Sequence, residues 1–132
     1  MQRNLKDIAK EHGVVLALKF GSSVTGQVHP KSDVDLAILL DRSNITLREH
    51  AELLQSIQPL FPDRELDLGL INHADPLFLK KITDNCELLF GPPERLQGLK
   101  LYAFKRYQDH RRFFELERQF AERFLATTRA GR

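Results

Sequence analysis

Cysteine, methionine and tryptophan are scarce in this chain of 132 residues, which has one cysteine, one methionine and no tryptophan. The single cysteine, Cys86, cannot form a disulfide within the chain, and no second cysteine or nearby histidine completes a metal site around it. This pattern suits a reducing compartment, so we expect a cytoplasmic protein. No apolar run approaches the roughly 18 residues of a membrane span, and the first residues are too polar for a secretory signal. We therefore expect no membrane association.

The chain also lacks a large excess of either sign of charge, because the net charge is only +2. The charge is unevenly distributed, however. Residues 1–93 carry ten Lys/Arg against thirteen Asp/Glu, a net −3, whereas residues 94–132 carry ten against five, a net +5. An acidic body joined to a basic tail predicts two parts with different tasks. We expect a domain over residues 1–93 and a helical extension, for partner docking or dimerisation, over residues 94–132.

Apolar periodicity predicts an α/β fold. Three helices are expected, the first capped by Asn4, the second starting after Ser43 or Asn44, and the third capped by Asp75. Between them lie runs rich in branched apolar residues, which predict strands at 14–20, 33–40, 65–71 and 86–90. This alternation predicts a small mixed β-sheet with helices on one face, followed by a long C-terminal helix.

Strand alternation places three aspartates at one edge of that sheet. Asp33 and Asp35 share a face of the second strand, about 6–7 Å apart along the backbone. Asp67 holds a similar position on the third strand, so the three side chains converge if the strands are neighbours; Glu65 is the alternative third acid. Clustered carboxylates need a counter-charge, and oxygen-only ligands select Mg²⁺ or Mn²⁺. Two such ions are a known device for nucleotidyl transfer.

A glycine-containing loop is expected to face these acids. Gly21 and Ser22 directly follow the first strand, and ten residues separate Ser22 from Asp33. A glycine and a serine at a strand end let backbone N–H groups and a hydroxyl approach phosphate oxygens closely. Gly26 supplies a further permissive position. The two segments together predict a triphosphate seat opposite a metal clamp.

The stretch GSSVTGQVHPKSDVDLAILL resembles the signature of the DNA polymerase beta-like nucleotidyltransferase superfamily, in which Gly-Ser, ten residues and Asp-x-Asp follow one another. The minimal variety, the MNT domain, looks closest, because Gly26 and the string SDVDL also match. The resemblance covers residues 14–90 and implies the nucleotidyltransferase fold.

The resemblance also implies roles for the site residues. Asp33 and Asp35 would bind two Mg²⁺ ions, and Asp67 would ligate the catalytic ion and help to deprotonate the acceptor hydroxyl. Gly21 and Ser22 would hold the β- and γ-phosphates of ATP.

In one respect the chain departs from the pattern. Many relatives carry an arginine shortly after the serine, where this chain has Ser23-Val24-Thr25. The phosphate contact that this arginine makes in relatives is therefore either absent here or made by another residue. Lys31 and Lys19 are the candidates.

The basic tail has the periodicity of one long helix. Its apolar positions step by three or four residues from Leu99 to Phe124, and seven of the eleven Phe and Tyr residues lie in it. A helix over 94–127 would be about 50 Å long, more than the body can cover. It either folds back on the sheet, docks another protein or a second copy of the chain, or binds nucleic acid. Because acids interleave its basic residues and no DNA-binding motif is present, direct nucleic acid binding is not expected.

Small MNT proteins often accompany a HEPN-type RNase as its antitoxin, and this chain is similar to such an antitoxin. The resemblance implies transfer of AMP from ATP to a tyrosine hydroxyl of the toxin, with the long helix as part of the docking surface. Two alternatives stay open. One is nucleotidyl transfer to a small molecule such as an aminoglycoside, although those enzymes usually have a larger second domain. The other is a non-catalytic antitoxin acting by binding alone, which would not need three clustered acids.

Overall fold

The computed structural model describes residues 4–21 and 33–130, with side chains described as far as residue 127. Four strands form one mixed sheet in the order β3-β2-β1-β4, in which β2 and β3 run parallel and β1 is antiparallel to both of its neighbours. The strands are β1 (Val14–Phe20), β2 (Val34–Leu40), β3 (Leu66–Leu70) and β4 (Cys86–Phe90). The helices are α1 (Leu5–His12), α2 (Leu47–Ile57), α3 (Pro76–Asp84) and α4 (Pro93–Ala130), with single 3₁₀ turns at Gln58–Leu60 and Ile71–His73.

Side-chain caps fix where the helices begin. Asn4 accepts a hydrogen bond from the backbone N–H of Asp7 at 2.9 Å, and Asp75 caps α3 in the same way. The predicted start of α2 was wrong, because its cap is Thr46, whose hydroxyl accepts from the N–H of Glu49 at 3.1 Å. Ser43 stays in the preceding loop, where its carbonyl accepts a hydrogen bond from His73.

Helices cover both faces of the sheet. Helices α1 and α2 pack on a face made mainly of branched residues from β2 and β3, and α3 and α4 pack on the opposite face. The first face includes Val34, Leu36, Ile38, Leu66 and Leu68. The second face includes Leu16, Leu18, Phe20, Ala37 and Leu88. The predicted α/β fold, with its mixed sheet and long C-terminal helix, is confirmed.

The expectation that helices lie on one face only was wrong. It overlooked β1, a central strand whose apolar side chains point both ways: Leu16 and Leu18 lie on one face and Ala17 on the other. A central strand of this kind is stable only if both of its faces are removed from water.

The long helix α4 is continuous from Pro93, and Gly98 does not interrupt it. Leu96 and Ala103 are buried against α3 and the sheet, so the first part of the helix belongs to the core. Beyond this part its large apolar side chains are mostly exposed, and Tyr107 is half-buried. The fold-back arrangement therefore describes only the beginning of α4. In the described part of the chain, no helix is long and apolar enough to cross a membrane.

Asn72, in the 3₁₀ turn after β3, ties that turn to the end of β2. Its side-chain oxygen accepts from the N–H of Leu40 at 2.9 Å, and its amide donates to the carbonyls of Leu40 and Arg42 at 2.9 and 3.0 Å. These bonds hold the ends of the two parallel strands together and so help to keep their register.

We predict that Asn72→Ala lowers the free energy of unfolding by about 1–3 kcal/mol, because it leaves partly buried backbone groups of β2 unpaired. Urea denaturation measures the change. Asn44→Ala, at an exposed loop position, is the control and should change it by less than about 0.5 kcal/mol. Equal effects of the two substitutions would contradict this role for Asn72.

Candidate active site

The parallel pairing of β2 and β3 brings two of the three predicted acids together. Asp35 and Asp67 are direct partners in the register, and Phe20 at the end of β1 is the partner of Asp35 on its other side. The backbone N–H of Val34 donates to the carbonyl of Glu65 at 2.9 Å, which starts the ladder just before the two acids. The register thus puts Asp67, rather than Glu65, beside Asp35.

The acids lie on the face of the sheet that α3 covers. Asp35 shares a face with Ala37, which is buried in the cluster that includes α3 and α4. Asp67 shares a face with Gly69, and the ring of Phe78 from α3 lies directly over Gly69. A Cβ atom on Gly69 would come within 2.9 Å of that ring, so a larger residue there would force the Phe78 ring to shift. Phe78 also packs edge-on against Phe20, with ring centroids 5.9 Å apart.

The two carboxyl groups repel each other. Burial raises the pKa of Asp35 above its ordinary value, and the negative charges of Asp67 and Asp33 raise it further, while the positive charge of Lys81 lowers it. A hydrogen bond between the carboxyl groups of Asp35 and Asp67, with Asp35 donating when protonated, acts in the same direction. The Asp35 carboxyl therefore takes up a proton more readily than an isolated aspartate does.

Gly21 brings the chain against the Asp35 carboxylate. Its φ of +82° lies in the left-handed region that favours glycine, and a Cβ atom there would be 2.5 Å from Asp35 Oδ2. Only glycine allows the backbone to turn this close to the acid. The predicted phosphate ligand Ser22, and with it Gly26 and Lys31, lie outside the described residues.

The donor set has the chemistry of a magnesium site. Mg²⁺ is usually held by one or two carboxylates together with substrate phosphates and water. Asp35 and Asp67 supply such a pair, and Asp33, exposed at the start of β2, is near enough to raise the pKa of Asp35. Within residues 4–21 and 33–127, no three acidic, histidine or cysteine side chains stand together as a finished metal cage.

The sequence interpretation missed Lys81, the cation that faces the acids from α3. It proposed two other lysines instead. Lys31 lies outside the described residues, and Lys19 alternates with Leu18 and Phe20 along β1 and therefore lies on the opposite face from the acids. Lys81 was overlooked because helical spacing alone does not show that the last turn of α3 ends beside β1. The pairing of Cys86, at the start of β4, with Phe20 establishes this position.

Comparison with known proteins agrees with this fold. Residues 3–95 match the family model described as polymerase beta, nucleotidyltransferase. No curated protein gave a significant match. Among solved structures, a toxin–antitoxin with AMP-PNP is 20% identical, with a TM-score of 0.71 over 92% of this chain and 95% of that one. One chain from the structure of a tri-AMPylated Shewanella oneidensis HEPN toxin in complex with MNT antitoxin is 18% identical to this chain, with a TM-score of 0.65 over 92% of each chain.

At these identities the solved structures show a shared fold. The family match is stronger, because it spans more than half of the chain and includes all four strands of the sheet. The chain therefore belongs to the polymerase beta nucleotidyltransferase family.

Proposed function

We propose that this nucleotidyltransferase moves AMP from ATP, with Mg²⁺, onto a tyrosine hydroxyl of a HEPN-type toxin and so neutralises it. The observation that carries the proposal is the Asp35–Asp67 carboxyl pair, held beside the Gly21 turn at one edge of the sheet. Two structural neighbours support the nucleotide and the acceptor class, since one contains AMP-PNP and another contains an AMPylated HEPN toxin.

In this reaction the acceptor oxygen bonds to the α-phosphorus, the bond from that phosphorus to the α,β-bridging oxygen breaks, and pyrophosphate leaves. Mg²⁺, held by Asp33, Asp35 and Asp67, would neutralise phosphate charge and polarise the reacting oxygens. The backbone at Gly21 and the Ser22 hydroxyl would orient the β- and γ-phosphates. Positioning and charge neutralisation supply most of the rate enhancement, because the protein forms no covalent bond to the substrate.

Asp67 is the residue best placed to accept the proton of the attacking hydroxyl. It is exposed to solvent, whereas its partner Asp35 is half-buried under α3. The exposed acid can be reached by a protein side chain that enters from outside the sheet edge. The buried acid is better suited to holding a cation.

The distal part of α4 gives the proposed toxin a docking surface. Four apolar side chains on this part are mostly exposed: Phe113 by 59%, Leu116 by 65%, Phe120 by 72% and Phe124 by 62%. Isolated exposed apolar side chains are common, but a contiguous row indicates an interaction site. Such a projecting row fits a protein acceptor better than an aminoglycoside, which needs an enclosing pocket.

A polar atom at the base of this row is also unsatisfied. The His110 ring packs against Phe113 and Phe114, and its Nδ1 is buried without a hydrogen-bond partner among the described residues. Buried polar atoms without a partner are rare in folded proteins. Because this atom is covered by the chain itself, a docked partner could bond to it only if the His110 ring turned outward.

The first test is transfer of label from α-labelled ATP to the toxin in the presence of Mg²⁺. Asp35→Asn and Asp67→Asn should each lower the labelling rate at least about a hundred-fold, because each removes a charge that neutralises the reacting groups. Asp63→Asn, an equal change at an exposed turn, should leave the rate unchanged. Toxin neutralisation that survives both active-site substitutions would favour binding alone, and labelling of an aminoglycoside but not of the toxin would favour the small-molecule alternative.

The second test is thermal unfolding of the free protein. Because its folded pKa is raised, an ionised Asp35 opposes folding at neutral pH, so Asp35→Asn should raise Tm by on the order of a few degrees in metal-free buffer. Mg²⁺ or Mn²⁺ should raise Tm of the wild type and have little effect on the variant. Asp63→Asn should behave like the wild type. A metal-dependent rise of equal size in Asp35→Asn would exclude this carboxylate as a metal ligand.

The third test concerns the docking surface. Phe120→Asp combined with Phe124→Asp should weaken toxin binding at least about a hundred-fold, because buried apolar anchors carry most of the energy of an interface. ATP binding should not change. Gln119→Asp adds a charge on a neighbouring side of the same helix and serves as the control. Calorimetric titration of toxin into each variant measures the effect, and unchanged affinity in the double variant would place the interface elsewhere.

A further inference from the structure

Lys81 lies at the same edge of the sheet as the acid pair. It is in the last turn of α3, and the strand that follows this helix begins at Cys86, which pairs with Phe20 at the end of β1. Phe20 is itself the register partner of Asp35. The C-terminal end of α3 is therefore next to the ends of the strands that carry Gly21 and Asp35.

The orientation of α3 points Lys81 toward the acids. Phe78, one turn earlier, packs against Phe20 and over Gly69, so that side of the helix faces the acid-bearing part of the sheet. Residues three apart on a helix are neighbours on its surface, which places Lys81 next to Phe78. The side chain is exposed, and its positive charge offsets part of the rise in the pKa of Asp35.

The adjacent lysine, Lys80, interacts with groups other than the acids. Lys80 forms a salt bridge with Asp84 at 2.6 Å, and its ammonium lies 5.0 Å from the centre of the Tyr107 ring on α4. Lys81 forms no salt bridge within the described parts of the chain. Two neighbouring residues of the same type thus have different surroundings, one engaged between α3 and α4 and the other facing the carboxyl pair.

We propose that the Lys81 ammonium binds the phosphate oxygens of the nucleoside triphosphate beside the Asp35–Asp67 pair. The inference rests on the proposed function, which brings a triphosphate to this edge. A polyphosphate next to two carboxylates needs positive charge from the protein as well as from metal ions. Lysine is a common phosphate ligand that acts as a flexible point charge.

This assignment also accounts for the Ser23-Val24-Thr25 segment, which has no arginine. The positive charge that an arginine after Ser22 would provide comes instead from α3. Because the lysine stem is flexible, Lys81 can reach a phosphate oxygen from a fixed helix.

A simpler role would be that of a counter-charge, in which Lys81 only offsets the repulsion between the carboxylates. The two roles predict opposite effects on ligand binding. If Lys81 binds phosphate, its removal weakens ATP binding. If it only balances the acids, its removal leaves ATP binding unchanged or strengthens it, because divalent cations would then be held more tightly.

The experiment is calorimetric titration of ATP, with Mg²⁺, into the full chain and its variants. Lys81→Met should weaken ATP binding about ten- to a hundred-fold, as expected for the loss of a charge-assisted hydrogen bond. Lys81→Arg should restore most of the affinity. Lys80→Met removes the same charge from the adjacent residue and should leave the affinity within about two-fold of wild type, since Lys80 is bound to Asp84. Unchanged Tm values confirm that the variants are folded, and Lys81→Gln replaces Lys81→Met if the latter is not.

The outcomes separate this inference from the proposed function. If the wild type binds ATP but Lys81→Met binds it equally well or better, the phosphate role of Lys81 is wrong and the proposed function stands. If the wild type binds no ATP, the proposed function itself fails. If Lys80→Met weakens binding as much as Lys81→Met, the effect is one of overall charge, and the specific contact is wrong.

Discussion

The site depends on two like charges held side by side by backbone pairing. Asp35 and Asp67 are partners across parallel strands, so their separation is set by the ladder of the sheet and not by the side chains themselves. The acids therefore cannot move far apart to relieve their repulsion. The remaining ways to reduce it are protonation and binding of a cation. Burial first, and the charge of Asp67 second, raise the pKa of Asp35 and so favour protonation.

The surrounding fold holds this unfavourable pair in place. Ile38 and Leu36, which follow Asp35 along β2, are buried between the sheet and helices α1 and α2, and Asn72 fastens the far end of the strand. Burial of branched side chains contributes roughly 1.5–3 kcal/mol each, which exceeds the cost of one partly screened carboxylate pair. Conflict between local stability and function is common at active sites. Here it is confined to the ends of the strands, where solvent reaches the acids.

Much of the arrangement of buried and acidic side chains could be predicted from the sequence, because side chains on a strand alternate between its two faces. That alternation assigned Val34 and Leu36 to a buried face and Asp33 and Asp35 to the other face, as the structure has them. The same reasoning did not reveal that α3 and α4 cover the second face of the sheet, that Thr46 caps α2, or where Lys81 lies. Each of these depends on how elements distant along the chain pack together, and periodicity within one element does not contain that information. The roles of Asp33, Asp35, Asp67, Gly21 and Ser22 in binding metal and nucleotide stay predictions.

Helix α4 connects the site to the surface proposed for the partner. Its first part is buried against α3, whose last turn carries Lys81, and its distal part projects with exposed aromatic side chains. A protein held by the distal part is thus fixed, through α3, relative to the sheet edge at which the acids lie. Because nucleotidyl transfer requires the attacking oxygen to be aligned with the leaving group, a rigid connection of this kind supplies orientation that a flexible tether cannot. The division of the chain at residues 93 and 94 would then separate two tasks, chemistry and acceptor binding, within one continuously packed structure.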